Sequence, residues 1–126
     1  MNTDEERKQE RAQVLKTMEN DLRWLLTKNP QDGLQWTGTQ RDAVELVHEV
    51  WLCGSIYDHQ GRVRRFKELL ASVCRIVHLK PPKNPTATLD AIAHRKDAES
   101  LQLRRRYGQL MKESQERPLL RFLKVA

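Results

Sequence analysis

The run Leu34-Gln35-Trp36-Thr37-Gly38-Thr39 sets an aromatic and a glycine directly before a residue able to cap a helix. Thr39 with Asp42 three residues on is a helix-start pattern, and Ala43, Val44, Leu46, Val47, Val50 and Trp51 then give a wide apolar face. The spacing predicts a helix over residues 40–53. Just upstream, Asn29-Pro30-Gln31-Asp32-Gly33 is a cluster of breakers that separates whatever precedes it from the module beginning at Leu34.

That preceding stretch carries Leu15, Met18, Leu22, Leu25 and Leu26 at spacings of three and four, which predicts a long amphipathic helix over about residues 4–27. Thr3 and Glu6 are placed as a capping box. Residues 4–13 are nearly all polar, so the first half of this helix is expected to project into solvent, and the apolar stripe begins only at Val14.

Downstream of the capped helix, Gly54 marks a stop, Ile56-Tyr57 is a short β-prone pair and Asp58-His59-Gln60-Gly61 reads as a turn. Val63, Phe66, Leu70, Val73 and Val77 then define a third helix over 62–77, with Arg64, Glu68, Ser72 and Arg75 on its far side. Lys80-Pro81-Pro82-Lys83 cannot continue a helix, whereas Asn84-Pro85 supplies a cap and a first-turn proline. A short helix is expected over 85–95, with Leu89, Ile92 and Ala93 inward. A fifth is expected over 97–114, with Leu103, Tyr107, Leu110 and Met111 inside and Arg105 outside. After Pro118, the apolar run Leu119-Leu120-Arg121-Phe122-Leu123 has to dock either on the core or on a partner.

These elements amount to an all-α domain of about five helices in a chain of 126 residues, enough for one modest core. No stretch approaches the length of a membrane span, and the first residues lack the basic-then-apolar order of a signal peptide, so a cytoplasmic protein is expected. Cys53 and Cys74 both fall on apolar helical faces without metal-ligand spacing and are read as buried, reduced thiols. His48, His59, His78 and His94 are scattered, and no catalytic or nucleotide-binding signature occurs, so neither catalysis nor a cofactor or metal is expected.

Charge carries the functional signal. Residues 1–33 have a net charge of −1 and the remainder +7, within an overall +6 and a pI near 9.6. An excess of cations confined to one part of a chain favours an anionic partner, above all nucleic acid. The order helix, short strand, helix, turn, helix resembles the start of a winged helix, whose third module helix enters the major groove of double-stranded DNA. Here that helix is 85–95, with Ala87, Thr88, Ala91, His94 and Arg95 facing the bases. The small residues permit close approach to thymine methyls, and His94 and Arg95 donate. Arg62, Arg64, Arg65 and Lys67 open the third helix at its positive end, an unfavourable placement unless phosphate lies nearby, and Lys80, Lys83 and Arg105 are expected to extend that surface.

The residues Leu34-Gln35-Trp36-Thr37-Gly38-Thr39, Glu45-Leu46, Gly54-Ser55-Ile56-Tyr57, Gly61 and Lys67-Glu68-Leu69, and more weakly those through Leu89-Asp90-Ala91-Ile92, Arg95-Lys96 and Met111, resemble the C-terminal region of the RteC family. Those proteins are regulators from conjugative transposons, associated with tetracycline-induced activation of excision genes. The resemblance spans residues 34–114 and implies a helical, winged-helix-like domain that binds promoter DNA. Pro81-Pro82 and Asn84-Pro85 stand where family members tend to carry aromatics, no wing hairpin follows the fourth helix, and the family's larger N-terminal domain has no counterpart here beyond a connecting helix.

The sequence therefore divides into an N-terminal amphipathic helix and linker (1–33), a helix-turn-helix-like DNA-binding domain (34–114) and a tail (115–126). It predicts a non-enzymatic DNA-binding transcriptional regulator that dimerises through residues 4–27 or through the tail. The alternative is a helical protein-interaction module on a mobile element, without direct DNA contact.

Overall fold

The computed structural model describes residues 3–94 and 102–125. Its elements are α1 (Thr3–Leu25), β1 (Leu34–Trp36), α2 (Gln40–Leu52), α3 (Phe66–Ile76), α4 (Pro85–Ala93), α5 (Leu103–Glu113) and β2 (Leu123–Val125). The expected helical class holds at the coarse level, with one addition: a two-stranded antiparallel sheet joins the two flanks of the chain.

α1 spans about 35 Å at 1.5 Å per residue. Its residues 3–13 are exposed on every side, and Met18, Leu22 and Leu25 are fully buried, as the onset of the apolar stripe at Val14 predicts. Thr3 lies within the first turn, where Asp4, Glu5 and Glu6 complement the positive end of the helix. Beyond it, the Asn29 side chain accepts from the Gln31 amide at 3.0 Å and the Asn29 amide donates to Asp32 Oδ2 at 2.8 Å. This cap closes a 3-10 turn, and Gly33, at φ 79°, turns the chain into β1.

α2 is the central helix and packs against α1, α3, α4 and α5. Thr39 Oγ1 accepts from the Asp42 amide at 3.0 Å, and Asp42 in turn accepts from the Thr39 amide, so the predicted cap forms in both directions. Ala43, Val44, Leu46, Val47 and Val50 lose all exposure, and Leu69, Leu70, Val73, Cys74 and Val77 of the α3 region pack against them.

The segment after Pro118 docks on the core of its own chain: Leu119 is fully buried and Phe122 nearly so. β2 pairs with β1 in the register Leu34↔Val125, Gln35↔Lys124 and Trp36↔Leu123. The Phe122 ring stacks between Trp36 (5.4 Å, 13°) and Tyr107 (6.4 Å, 9°). Gly38 makes this possible, because a Cβ there would stand 2.9 Å from Phe122 Cδ1 and 3.1 Å from Trp36 Nε1. The Trp36-Thr37-Gly38 phrase is thus a seat for the tail. Residues from all three sequence segments, 1–33, 34–114 and 115–126, share one hydrophobic cluster.

A buried carboxylate fastens the same tail. Asp21, 2 % exposed, accepts from the Tyr107 hydroxyl, from Arg117 Nη1 at 2.9 Å and from the Leu119 amide at 3.3 Å. Burial holds its carboxyl above the ordinary range despite these donors, and the same burial, together with the Asp21 charge, pushes the Tyr107 phenol far above its own. Arg117 also lies over the Trp24 ring, 5.0 Å from its centroid.

Candidate nucleic-acid interface

α3 starts at Phe66, four residues later than the sequence predicts. Residues 62–64 instead fold back on 56–58, with the Arg64 amide donating to Ile56 O at 2.8 Å, the Asp58 amide to Arg62 O at 2.7 Å, and Tyr57 bridged to Val63. Asp58 Oδ1 accepts from the amides of Gln60 and Arg62, and Gly61 takes φ 80°, which locks the turn. The expected β-prone pair and turn are therefore one arm and the tip of a small hairpin. Its second arm is hidden in the sequence because Val63 also fits the helical spacing of α3.

The hairpin and the first turn of α3 together carry the basic run. Arg62, Arg65 and Lys67 are exposed. Arg64, expected on the solvated side of the helix, reaches along it instead and donates to the Ser72 hydroxyl, half-buried. Arg65 is the N-cap residue of α3 and makes no side-chain capping bond, so the cations still stand at the positive end of that helix.

Lys80 and Lys83 lie elsewhere. Trp51 and Phe66, with ring centroids 5.7 Å apart, bring the end of α2 to the start of α3, while Gln40 Nε2 donates to Lys80 O at 2.7 Å and closes the other end. The two helices are thus antiparallel, and the hairpin cations and the lysine turn sit at opposite ends of the pair, separated by the roughly 16 Å length of α3. Arg105 is exposed on α5.

α4 begins as predicted, with Asn84 Oδ1 accepting from the Ala87 amide at 3.1 Å and Pro85 in the first turn. Leu89 and Ile92 are half-buried, whereas Ala93, expected inward, is exposed. Ala87, Thr88 and Ala91 line one wall of an open cleft of about 720 Å³, whose other wall is Thr39–Asp42 at the start of α2, with Arg106 of α5. The Thr88 hydroxyl bonds back to Asn84 O at 3.4 Å. His94 is exposed at the end of α4, with Nδ1 2.7 Å from Asp90 O. Arg95 lies outside the described residues. Among the proposed base contacts, the structure thus gathers Ala87, Thr88 and Ala91 in one cleft and sets His94 beyond it.

One feature of that cleft is not legible from spacing. Asp42, which caps α2, also holds Arg106 through both guanidinium Nη atoms, Nη1 at 3.3 Å from Oδ2. Asp42 is the main cause, and Glu45 a further one, of Arg106 lying above the usual guanidinium range. Arg23 and Lys16 likewise pair with Glu19, and Arg117 with Asp21. No described carboxylate lies within ion-pairing distance of Arg62, Arg65, Lys67, Lys80 or Lys83.

No family model, curated protein or solved structure matches the chain.

The cysteines depart from expectation at one position. Cys74 is buried, and burial pushes its thiol up to about 11, but Cys53 is exposed at the end of α2. The apolar wheel position misleads at Cys53 because α2 ends at Leu52 and Cys53 is its cap residue, off the buried stripe. Burial and the neighbouring Glu19 and Glu49 carboxylates still raise the Cys53 thiol, which disfavours the reactive thiolate. No group of three or more His, Cys, Asp and Glu side chains among the described residues is arranged to hold a metal ion, and no described helix is long and apolar enough to cross a membrane.

Proposed function

We propose that this chain is a DNA-binding transcriptional regulator of the kind implied by its resemblance to the RteC C-terminal region, acting on excision or transfer genes of a mobile element. The observation that carries this reading is how the cations are sorted. Arg23, Arg106 and Arg117 are spent on internal carboxylates, while Arg62, Arg65, Lys67, Lys80 and Lys83 face solvent without one. Cations at the positive end of α3 raise the energy of the free protein by a few tenths of a kcal/mol to about 1 kcal/mol, a cost that phosphate removes. Two cationic sites about 16 Å apart suit the repeating phosphates of a duplex better than they suit one small anion. Base reading then falls to Ala87, Thr88 and Ala91 in the cleft and to His94 and Arg95, with Arg105 adding a phosphate contact. A second copy, through the exposed part of α1, supplies the second half-site, since the tail is occupied on its own core.

The test is fluorescence anisotropy of a labelled random-sequence duplex over a salt titration. Micromolar binding that weakens with salt is expected, and the Arg62→Ala, Arg65→Ala double variant lowers the slope of log K against log salt by about 1.8, at roughly 0.9 for each phosphate no longer neutralised. No binding at low salt would overturn the reading in favour of a protein-interaction module.

A further inference from the structure

An aromatic surface adjoins the basic hairpin. Tyr57 is 59 % exposed, Val63 48 % and Leu52 62 %. Tyr57 and Val63 bridge across the hairpin between two hydrogen-bonded positions, which places their side chains together on one face. At the adjoining ends of α2 and α3, Phe66, Trp51 and His48, all half-buried, form a ring cluster with centroids 5.5 to 5.7 Å apart. Cations punctuate the same stretch: Arg62 and Arg64 flank Val63 in the chain, and Arg65 and Lys67 flank Phe66.

Single exposed apolar residues are ordinary, but an exposed ring on a locked hairpin that leads into a helix end carrying three more rings, in a stretch rich in cations, is a binding surface. A duplex presents phosphates and the edges of its bases and leaves the flat face of Tyr57 unused. Unpaired bases each offer a π-face, and the proteins that hold them combine aromatic platforms with cations that track the backbone. An acidic protein segment also meets cations with apolar anchors. The concentration of rings, with four cations in the six residues from Arg62 to Lys67, favours nucleic acid.

We infer that the Tyr57 face of this hairpin binds single-stranded nucleic acid, with an unpaired base stacked on Tyr57 and the backbone held by Arg65 and Lys67, which follow the hairpin at the start of α3. The inference rests on the nucleic-acid reading above and narrows it to strands with unpaired bases at this face. The lock on the turn by Asp58 and Gly61 matters here, because a preordered platform loses little entropy when a base settles on it.

Anisotropy titrations of the intact chain against a labelled oligothymidine of about 20 nucleotides, and against a random duplex of equal length, test this. The single strand is expected to bind about tenfold more tightly. Tyr57→Leu keeps an apolar partner for Val63 but removes the ring, and is expected to weaken the single-strand complex about tenfold and the duplex complex less than about twofold, while Tyr57→Phe binds like the parent. Duplex binding equal to or tighter than single-strand binding, or a Tyr57→Leu variant that holds oligothymidine as well as the parent, would overturn the inference and leave the duplex reading standing, with the patch then assigned to an acidic protein segment. Failure to bind either form at low salt would overturn both.

Discussion

The Phe122 ring lies nearly parallel to the Trp36 indole at 5.4 Å, and the Phe122 carbonyl accepts from the Thr37 amide at 2.8 Å. Tail and seat are thus joined by a ring face and by the backbone at the same residue.

Gly38 is the clearance for that junction. Gly38→Ala places a methyl 2.9 Å from Phe122 Cδ1 and is expected to destabilise the fold by about 1–3 kcal/mol through overpacking. Phe122→Ala, which empties the stack, is expected to cost about 3–5 kcal/mol. Urea unfolding followed by tryptophan emission measures both; a Gly38→Ala midpoint equal to the parent's would show that the seat has slack.

His78 sits at φ 55° after α3, where its Nε2 lies 2.7 Å from Pro30 O. The left-handed backbone is costly for a residue with a Cβ, and the hydrogen bond to Pro30 offsets that cost. His78→Ala keeps the strain without the hydrogen bond, and is expected to lower stability by about 1 kcal/mol, whereas His78→Gly removes both and stays near the parent. The order of the two melting temperatures decides the matter.

Asp42 serves two partners, the Thr39 cap and Arg106. Asp42→Ala is therefore expected to cost more than Arg106→Ala, which leaves the cap in place. In a double-mutant cycle the two changes should couple by about 1 kcal/mol, a modest value because Arg106 is partly exposed. Additive effects would separate the cap from the ion pair.

Glu19 accepts from the Ser55 hydroxyl at 2.8 Å and from Arg23 at 3.0 Å. Burial raises its carboxyl, but Ser55, Arg23 and Lys16 together bring it below the ordinary 4.5. The unfolded chain then takes up this proton first as the medium is acidified. The stabilisation is present above pH 4.5 and disappears as pH falls through the folded value. Asp21, held above its ordinary 3.8, acts with the opposite sign: the folded state takes up the proton first, and acidification relieves its buried charge. Glu19→Gln is expected to be less stable than the parent by on the order of 1 kcal/mol at neutral pH, the gap closing below pH 4.5. Thermal melts across pH 3 to 7, about the range of both groups, read this directly.

The hairpin cations and the lysine turn are far enough apart to be tested separately. If one duplex spans both, Lys80→Ala with Lys83→Ala lowers the salt slope by about 1.8, as the arginine pair does, and the fourfold variant lowers it by about 3.6. A lysine pair without effect would confine the duplex to the hairpin end.

Helices are the legible part of this fold, because Met18, Leu22 and Leu25, or Val44, Val47 and Val50, repeat at helical spacing and Thr39, Asn84 and Pro85 signal the starts. The strands are not. β1 and β2 are three residues each, too short to show alternation, and each finds its partner across most of the chain. At the candidate site, the identities of the exposed cations are legible from charge alone. Their division between two ends of α2 and α3, the hydrogen bond from Arg64 to Ser72 and the cleft facing Ala87 and Ala91 depend on how helices pack, and a wheel drawn for one helix contains no neighbours.

The pairing of residues 34–36 with 123–125 also sets a timetable. A bundle of consecutive helices gains most of its contacts between near neighbours in the chain and forms quickly, whereas closing so long a loop costs entropy that only the finished sheet and ring stack return. During folding, α1 to α5 can collapse with the seat around Trp36 still empty and the Asp21 carboxylate still lacking Arg117, until residues 117–125 drop into place. A chain in which residues 117–125 have yet to dock holds a nearly complete helical domain with an open aromatic slot, a state exposed to chaperones and proteases.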